Sequence, residues 1–430
     1  MKVLWLCNIM LPVIAESLGL PSSNKEGWLS GLAAKLYKQQ DNNIELGVCF
    51  PVSGEMIQGN VTCGNNEKQI SYYGFPENTA CPEQYDEVVE VHLKKILKDF
   101  QPDVVHCFGT EYPHTLAMTR AFGRPERTLI GIQGLCFVYA DAYMADLPEK
   151  IQKRTLFRDF VRRDNLPMQQ KKYRMRGEYE KEALKNTAHV TGRTDWDKKW
   201  TGEINPQAKY HFMNETLRGQ FYGPLWNIEA CEKYSIFLSQ GNYPIKGLHY
   251  MLQAMPEILK KYPKAHVYVA GDEITRYSTL KEKIKISNYG KYLLELIRQN
   301  HLENAVTFCG RLDADAMLGR FLKSHVFVSP SSIENSPNSV GEAMLLGMPV
   351  VSSRVGGVHN MLEDGEEGFL YETADRKALA EHICCIFDEK NRERVIRMGQ
   401  KARTHALKTH DSEANYKRLM EIYHEINLCV

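Results

Sequence analysis

Residues 327–370 constrain the fold more than any other part of the chain. An apolar strand at 326–328 leads into a polar loop with prolines, then into a helix with a small-residue face, and then into a second apolar strand at 349–352. Strand, loop, helix and strand in this order form a βαβ unit, whose crossover is almost always right-handed. Ligands on such sheets bind where the strands lead into helix N-termini. The segment therefore predicts both a parallel sheet and the edge of that sheet at which a ligand binds.

The same alternation of apolar strands and amphipathic stretches continues through both halves, which predicts an α/β fold with parallel sheets. A chain of 430 residues is too long for one ordinary core and fits two domains of about 200 residues each. We predict an N-terminal domain over 1–217, a C-terminal domain over 218–411 and a final amphipathic helix within 412–430. The predicted strands are 3–7, 44–50, 69–73, 104–107, 128–132 and 189–191, then 235–239, 266–271, 306–308, 326–328 and 350–352.

Charge and composition exclude several classes of protein. The 54 basic and 53 acidic residues nearly cancel, so the global charge gives no indication of nucleic-acid binding. The N-terminal residues fit a first buried strand better than a signal peptide, and no apolar run reaches the roughly 18 residues of a membrane span. We expect a soluble, cytoplasmic protein.

The eleven cysteines are odd in number and include no CxxC pair, which favours free thiols in a reducing compartment. Cys63 and Cys81 bracket a polar loop, and we expect them not to pair.

Two glutamates flank the loop of the βαβ unit. Glu334 lies in the loop, and Glu342 lies early in the helix, eight positions later. Backbone amides around Asn338 and Ser339 are the unpaired donors of a helix start, which suits a phosphate or a diphosphate. One carboxylate can accept two hydrogen bonds from a vicinal diol such as a ribose, and the other can hold hydroxyls of the group that the diphosphate carries. Taken alone, the pair is equally explained by one solvated glutamate and one glutamate that complements the helix dipole.

The surrounding string resembles the EX7E segment of retaining GT-B glycosyltransferases of family 4. The usual form is E-G-x-P-x-x-x-x-E-A-M-x-x-G-x-P-V-V, and this chain has Asn335 at the position of the first glycine. The resemblance implies two Rossmann-like domains that face a central cleft, with the final helix packing back on the N-terminal domain. It implies transfer of a hexose from an NDP-sugar, of which a UDP-sugar is the commonest, to a saccharide or a polyprenyl-diphosphate-linked saccharide. It also implies retained anomeric configuration, no covalent carboxylate nucleophile and no required metal. Cell-envelope or capsular polysaccharide synthesis is the expected role.

The resemblance also assigns residues in the C-terminal half. Lys246, before Gly247, matches the lysine that neutralises the donor's diphosphate, whereas Asn242 stands where an arginine is usual. Arg311 is a candidate for the missing cation. Gly271 ends a strand at a position where the family's backbone contacts the nucleotide base.

In the N-terminal half, Gly27 aligns with a loop that approaches the transferred sugar and the diphosphate. His106 and His114 are candidates for the histidine near the donor's reactive carbon, and Phe108 occupies the position of a second histidine. A lone histidine in a strand is equally a core residue. Gln133 occupies a position often held by histidine and is a candidate contact for donor or acceptor hydroxyls.

The acidic string at 313–315 resembles a metal-binding DxD. Capping of the helix that follows explains Asp313 and Asp315 equally well, and we predict no metal site there.

Residues 150–176 are locally basic, with ten Lys or Arg against two Asp, and place Leu156, Phe157, Phe160 and Val161 on one helical face. Two interpretations stay open. The segment is an amphipathic surface helix docked on its own domain, or it is attracted to anionic lipid headgroups at the inner face of the cell membrane or to a polyprenyl diphosphate.

Two other functions remain alternatives to a glycosyltransferase. A GT-B-fold sugar-nucleotide epimerase would release UDP without an acceptor. A non-catalytic subunit would bind a nucleotide sugar without turnover, which the missing loop arginine and Phe108 motivate.

Overall fold

The computed structural model describes residues 1–21, 27–38, 43–63 and 68–428 and divides into two compact units. Unit 1 comprises Met1–Val138, Lys172–Arg218 and Thr409–Val430, and unit 2 comprises Tyr139–Lys171 and Gly219–Lys408. Each unit is built around one β-sheet.

The strands of unit 1 follow the apolar segments of the N-terminal half. They are β1 Lys2–Leu6, β2 Glu45–Val52, β3 Ile57–Cys63, β4 Lys68–Pro76, β5 Val104–Phe108, β6 Thr128–Gly131, β7 His189–Gly192 and β8 Lys209–Phe212. The sheet order is β3-β4-β2-β1-β5-β6-β7-β8, and every pairing is parallel except that of β3 with β4. The central strands β1 and β5 are almost wholly buried, as expected for a parallel sheet covered on both faces.

Unit 2 contains an all-parallel sheet. Its strands are β9 Glu232–Leu238, β10 His266–Ala270, β11 Val306–Gly310, β12 Ser324–Ser329, β13 Val350–Ser353 and β14 Phe369–Tyr371. The sheet order is β11-β10-β9-β12-β13-β14. The order reverses between β9 and β12, just as it reverses between β1 and β5 in unit 1. Each reversal is a switch point, where loops diverge at the carboxyl ends of two strands and leave room for a ligand.

Helices connect the strands, as the amphipathic periodicity predicted. They are α1 Pro12–Ser17, α2 Gly27–Lys38, α3 Glu87–Phe100, α4 His114–Phe122, α5 Cys136–Ala142, α6 Glu149–Lys153, α7 Phe157–Arg162, α8 Leu166–Lys185, α9 Asp195–Ile204, α10 Leu248–Lys261, α11 Leu280–Lys285, α12 Asn288–Gln299, α13 Ala314–Lys323, α14 Asn338–Leu346, α15 Arg376–Phe387, α16 Arg392–Thr409 and α17 Ser412–Leu428.

Helix α17 packs into the core of unit 1. Its buried residues Leu419, Ile422, Tyr423 and Ile426 recur at helical spacing and join the cluster around β1. The phenolic oxygen of Tyr423 accepts a hydrogen bond from the Trp5 indole N–H at 2.8 Å, so the last helix is bonded to the first strand.

The units differ from the predicted domain boundaries in one segment. The N-terminal domain was predicted to run over 1–217, but Tyr139–Lys171 belongs to unit 2. Polar contacts with α12 explain this. The Asn288 backbone N–H donates to the buried carboxylate of Asp159 at 3.1 Å, and the Arg154 guanidinium pairs with Glu295 at 2.7 Å.

The thiol of Cys81 is free. The side chain of Cys63, its one candidate partner in the sequence, lies outside the described residues.

Candidate active site

A lysine and a glutamate meet at the switch point of unit 2. Lys246 lies in the loop after β9 and Glu334 in the loop after β12, and Lys246 Nζ lies 2.6 Å from Glu334 Oε1. Ser331 donates its hydroxyl to the same oxygen at 2.7 Å. Glu334 is only 6% exposed, so its charge is largely removed from water and depends on these two partners.

Local backbone geometry brings Lys246 to this position. A single 3-10 turn, Pro244–Lys246, ends at Gly247, whose φ is +71°. A Cβ at Gly247 would lie 1.8 Å from the carbonyl oxygen of Pro330, so only glycine allows the two loops to pass this closely. The backbone N–H of Ser332 donates to the Ile245 carbonyl at 2.8 Å and fixes the same approach.

A second glycine holds the backbone of Glu334 from the other side. Gly356, with φ +52°, would place a Cβ 1.7 Å from the Glu334 carbonyl oxygen. That carbonyl accepts the backbone N–H of Gly357 at 3.2 Å. The Gly-Gly turn after β13 thus packs closely against the loop that carries Glu334 and restricts the position of its carboxylate.

Glu342 and the start of α14 lie in the same connection. Asn338 and Ser339 are the first two residues of the helix, and Pro337 before them provides no side-chain cap. The amides at this end are therefore suited to bind an anion. Glu342 is the fifth residue, in the second helical turn, and its side chain is buried.

Arg311 and Gly271 lie at the ends of β11 and β10. The guanidinium of Arg311 is largely exposed and makes a two-pronged ion pair with Asp272 at 2.7 and 2.8 Å. It is therefore already neutralised by its neighbour. Gly271 has φ +99°, and its N–H donates to the Gly310 carbonyl at 2.9 Å.

The acidic residues at 313–315 lie at the start of α13, where Asp313 caps the helix. The Asp313 carboxylate accepts the backbone N–H of Ala316 at 2.8 Å at the start of α13, and Asp315 lies in the first turn.

Polar side chains also fill the switch point of unit 1. His114 is fully buried at the start of α4, with Nδ1 2.6 Å from the Glu77 carboxylate and Nε2 2.9 Å from the Asn8 side-chain oxygen. Asn8 follows β1 and Glu77 follows β4, so the ring joins the carboxyl ends of the two strands that flank β2. The candidate catalytic histidine thus has both nitrogens engaged inside unit 1. Beside it, burial raises the pKa of Glu111.

A buried carboxyl group on α8 adjoins this cluster. Glu180 accepts hydrogen bonds from the Thr110 hydroxyl and from the Phe137 backbone N–H. Burial raises the pKa of Glu180 from 4.5 to about 8, against the lowering effect of these hydrogen bonds.

His106 lies in the middle of β5, and Gln133 follows β6. His106 is a buried residue whose Nδ1 lies 2.7 Å from the Tyr423 hydroxyl, and burial lowers its pKa from 6.5 to about 3. Gln133 donates to Glu215 at 2.7 Å. Gly27 begins α2, and the loop before it lies outside the described residues.

The sequence prediction missed two charged residues that join Gln133. Arg193 follows β7 and Glu215 follows β8, and Arg193 Nη1 lies 2.9 Å from Glu215 Oε1 with both side chains buried. Their position just after strands was the available signal, but β8 lacks an apolar pattern and was not predicted, so the pair could not be recognised.

Comparison with known proteins gives one family match. Residues 232–389 match the family model described as "Glycosyl transferases group 1". N-acetyl-alpha-D-glucosaminyl L-malate synthase of Bacillus anthracis is 28% identical over 134 residues, which are 31% of this chain and 34% of that protein. D-inositol 3-phosphate glycosyltransferase of Corynebacterium urealyticum is 26% identical over 182 residues, 42% of this chain and 41% of that protein. The chain thus spans about a third to two fifths of the length of these curated relatives.

Solved structures share the fold over nearly the whole chain. Sucrose-phosphate synthase from Thermosynechococcus elongatus superposes with a TM-score of 0.68 at 15% identity, covering 99% of each chain. Anabaena HepE in complex with UDP-glucose superposes with a TM-score of 0.64 at 15% identity, covering 99% of this chain and 100% of that one. The α/β architecture with its two sheets is therefore that of the GT-B fold, as predicted.

Proposed function

We propose that the protein is a glycosyltransferase, on the premise that residues 232–389 match the family model described as "Glycosyl transferases group 1". It transfers a hexose from an NDP-sugar to a saccharide or lipid-linked saccharide with retention of anomeric configuration. The observation that carries the proposal is the Lys246–Glu334 pair, which lies within the matched segment and at the switch point of the unit 2 sheet.

The start of α14 and Lys246 together suit the diphosphate of the donor. Backbone amides at Asn338 and Ser339 supply hydrogen-bond donors, and the ammonium group supplies a full positive charge. Glu342 is the group that accepts hydrogen bonds from the ribose hydroxyls. A UDP-sugar is the donor we propose, and HepE, which shares the fold, was determined in complex with UDP-glucose.

The reaction breaks the bond between the anomeric carbon and the diphosphate. Negative charge then accumulates on the leaving diphosphate, and a fixed cation with fixed amides stabilises that charge without rearrangement. Glu334 orients the hexose through its hydroxyls, and the acceptor hydroxyl enters on the face that the diphosphate leaves. These groups belong to the protein, so we propose that turnover needs no added metal.

The acceptor is a carbohydrate or a polyprenyl-diphosphate-linked saccharide, bound by unit 1. The capsular polysaccharide biosynthesis glycosyltransferase CapM of Staphylococcus aureus is 29% identical to this protein over 36% of this chain. This similarity supports a role in cell-envelope or capsular polysaccharide synthesis.

The test is a screen of NDP-sugars by thermal shift, followed by measurement of NDP release with and without candidate saccharide acceptors. We expect stabilisation by one NDP-sugar and acceptor-dependent NDP release with a new glycoside as product. NDP release without any acceptor, with an epimerised sugar, would identify an epimerase instead. Binding without turnover for any acceptor would support a non-catalytic subunit.

An exposed apolar and basic face on unit 2 supports contact with an anionic membrane. The basic segment forms α6, α7 and the start of α8, and the interpretation that its apolar face docks on its own domain is wrong for α7. Phe157, Phe160 and Val161 are 66%, 75% and 62% exposed. The adjacent helix α11 adds Leu280 at 74% and Ile284 at 46%.

Basic side chains surround these apolar groups. Arg162 and Arg163 are exposed at the end of α7, and Lys281, Lys283 and Lys285 lie on α11. Apolar side chains that enter the lipid interface next to cations that attract anionic headgroups are typical of a peripheral membrane protein. No helix of the described residues is long and apolar enough to cross a bilayer. We propose that this face binds the inner surface of the cell membrane, where a polyprenyl-linked acceptor would be met.

Liposome sedimentation tests this face. Arg158 is not a suitable target, because its guanidinium pairs with Asp159 at 3.0 Å inside unit 2. Reversing Arg162 and Arg163 to Glu should abolish sedimentation with phosphatidylglycerol vesicles at low salt, since each cation contributes about 1 kcal/mol near an anionic surface. The matched control reverses the exposed Lys260 and Lys377, which changes the net charge equally. Wild-type protein that ignores the vesicles, or equal losses in both variants, would refute the proposal.

A further inference from the structure

A small cavity opens at the carboxyl ends of β5 to β8 in unit 1. Six of the residues around it matter here, and they are His106, Gln133, Thr191, Arg193, Met213 and Glu215. The atom-free space in the cavity and its mouth is about 240 Å³, and the interior admits a group the size of a water molecule or hydroxyl rather than a whole sugar ring. The carboxyl edge of a parallel sheet is the edge at which α/β proteins bind ligands.

Four buried polar atoms of these side chains have no hydrogen-bond partner within the described part of the chain. They are His106 Nε2, Thr191 Oγ1, Arg193 Nε and Glu215 Oε2. Buried polar atoms in folded proteins are nearly always satisfied, and four exceptions around one cavity indicate that another molecule completes the set. The other side-chain nitrogens of Arg193 are engaged, because Nη1 donates to the Ile132 carbonyl at 3.0 Å and pairs with Glu215, and Nη2 donates to the Gln133 side-chain oxygen at 3.5 Å.

The charges of the cavity indicate a neutral ligand. Arg193 and Glu215 neutralise each other at 2.9 Å, and burial keeps His106 uncharged at neutral pH by lowering its pKa to about 3. The compensated pair therefore leaves no net charge to balance that of a buried anion or cation. Arg193 Nε can only donate, an ionised Glu215 Oε2 can only accept, and Thr191 can do either. A hydroxyl group, which donates one hydrogen bond and accepts two, fits this set.

We propose that the cavity binds a hydroxyl group of a saccharide, through Thr191, Arg193 and Glu215, and so selects which sugar the protein accepts. The inference rests on the proposed glycosyl transfer for the class of ligand, and the hydroxyl belongs to the donor hexose or to the acceptor saccharide. It assigns specificity to residues that neither the family match, which begins at residue 232, nor the sequence motifs include.

The methyl group of Met213 can report on ligand binding in the cavity by NMR. Met213 lines it and is one of 16 methionines, so ¹³C-methyl labelling of methionine gives one resonance at the site, which Met213→Leu assigns. We expect methyl α-D-glucopyranoside, methyl α-D-mannopyranoside, N-acetylglucosamine or UDP-glucose to shift this resonance with saturation, whereas UDP alone should not. A shift by a free glycoside identifies an acceptor hydroxyl, and a shift by UDP-glucose only identifies the donor hexose.

A pair of substitutions at Thr191 separates ligand binding from folding. Thr191→Val keeps the shape of the side chain and removes the hydroxyl, and should weaken the saturating shift about tenfold, because the ligand hydroxyl loses a buried partner. Thr191→Ser keeps the hydroxyl and should stay within about threefold of wild type. Both variants should unfold at temperatures within a few degrees of wild type, because the hydroxyl has no protein partner among the described residues.

The outcomes distinguish this inference from the proposed function. If no saccharide or UDP-glucose moves the Met213 resonance while acceptor-dependent NDP release is measured, the cavity holds water only, and the inference is wrong although the enzyme is real. If a free glycoside moves it and Thr191→Val abolishes the shift in a protein that never releases NDP, the cavity is a saccharide site and the catalytic proposal is wrong. Equal shifts in Thr191→Val and Thr191→Ser would also refute the inference.

Discussion

Under the proposed function, Glu334 and a bound diphosphate compete for Lys246. This competition predicts that a substitution within the proposed site strengthens nucleotide binding instead of weakening it. The Lys246 ammonium lies 2.6 Å from Glu334, and its side chain is 20% exposed. Under our proposal the ammonium must turn toward the diphosphate when a nucleotide binds, so the pair with Glu334 is weakened. Glu334→Gln should therefore strengthen UDP binding, although it removes a residue of the proposed site and should lower turnover at least tenfold by misplacing the hexose.

The magnitude follows from the contacts. A hydrogen bond to a charged partner contributes about 1.5–3 kcal/mol and a neutral one about 1 kcal/mol. Glutamine still offers Lys246 an amide oxygen, and one fifth of the lysine side chain already reaches water. We therefore expect Lys246 to lose about 0.5–1.5 kcal/mol of its interaction with residue 334 when glutamate is replaced by glutamine. Because UDP no longer has to overcome this part of the interaction, its binding should become roughly three- to tenfold tighter.

Titration calorimetry with UDP at constant ionic strength measures this effect. Ser331→Ala is the matched control, because it removes the other hydrogen bond to the same carboxylate oxygen without a change of charge. In a Lys246→Met background, Glu334→Gln should leave UDP affinity unchanged, since the competing group is gone. A Glu334→Gln protein that binds UDP tenfold more weakly than wild type would refute the competition and assign the carboxylate to nucleotide binding.

Three other predictions test separate parts of the site. Glu342→Ala should weaken UDP binding by about 1.5–3 kcal/mol, measured by the same calorimetry, because the ribose would lose charge-assisted acceptors; unchanged affinity would remove this residue from the donor site. EDTA should leave turnover intact, and a complete loss that Mg²⁺ or Mn²⁺ restores would make Asp313 and Asp315 candidate ligands. Glu180 should make wild-type protein less stable relative to Glu180→Gln as pH rises from 4.5 to about 8, since its raised pKa favours the folded state only while the carboxyl group is protonated. Chemical denaturation at several pH values should give a difference of about 1.4 kcal/mol per pH unit in that range, and a flat difference would contradict the raised pKa.

Local sequence was sufficient for the strands that form the buried centre of each sheet. The predicted strands at 326–328 and 350–352 lie within β12 and β13, because a parallel strand covered on both faces needs a nearly continuous apolar run. Strands β3, β8 and β14 were not predicted. The edge strands β3 and β8 are more polar, as QGN in β3 and KYH in β8 illustrate, and β14 has only three residues. An edge strand needs apolar groups on one face at most, so its sequence differs little from that of a loop.

The individual site residues of unit 2 could also be proposed from sequence, because Glu334, Glu342 and Lys246 lie in an ordered string that resembles a known family. Their contact could not. Lys246 and Glu334 are 88 positions apart, and they meet because β9 and β12 are neighbours at a switch point and because Gly247 and Gly356 admit close backbone approach.

In unit 1 the tertiary structure decided most of what matters for function. Sequence placed His106 within a strand and His114 at the start of the next helix. Packing made His106 a neutral core residue and enclosed His114 between Glu77 and Asn8. The cavity bounded by Thr191, Arg193 and Glu215 could not be predicted, because β8 lacks an apolar pattern and only the fold brings these side chains together. Its groups come from two segments, the end of β7 with the loop that follows it and the loop after β8. Their charge state depends on burial, which is a property of the packed chain rather than of any segment of it.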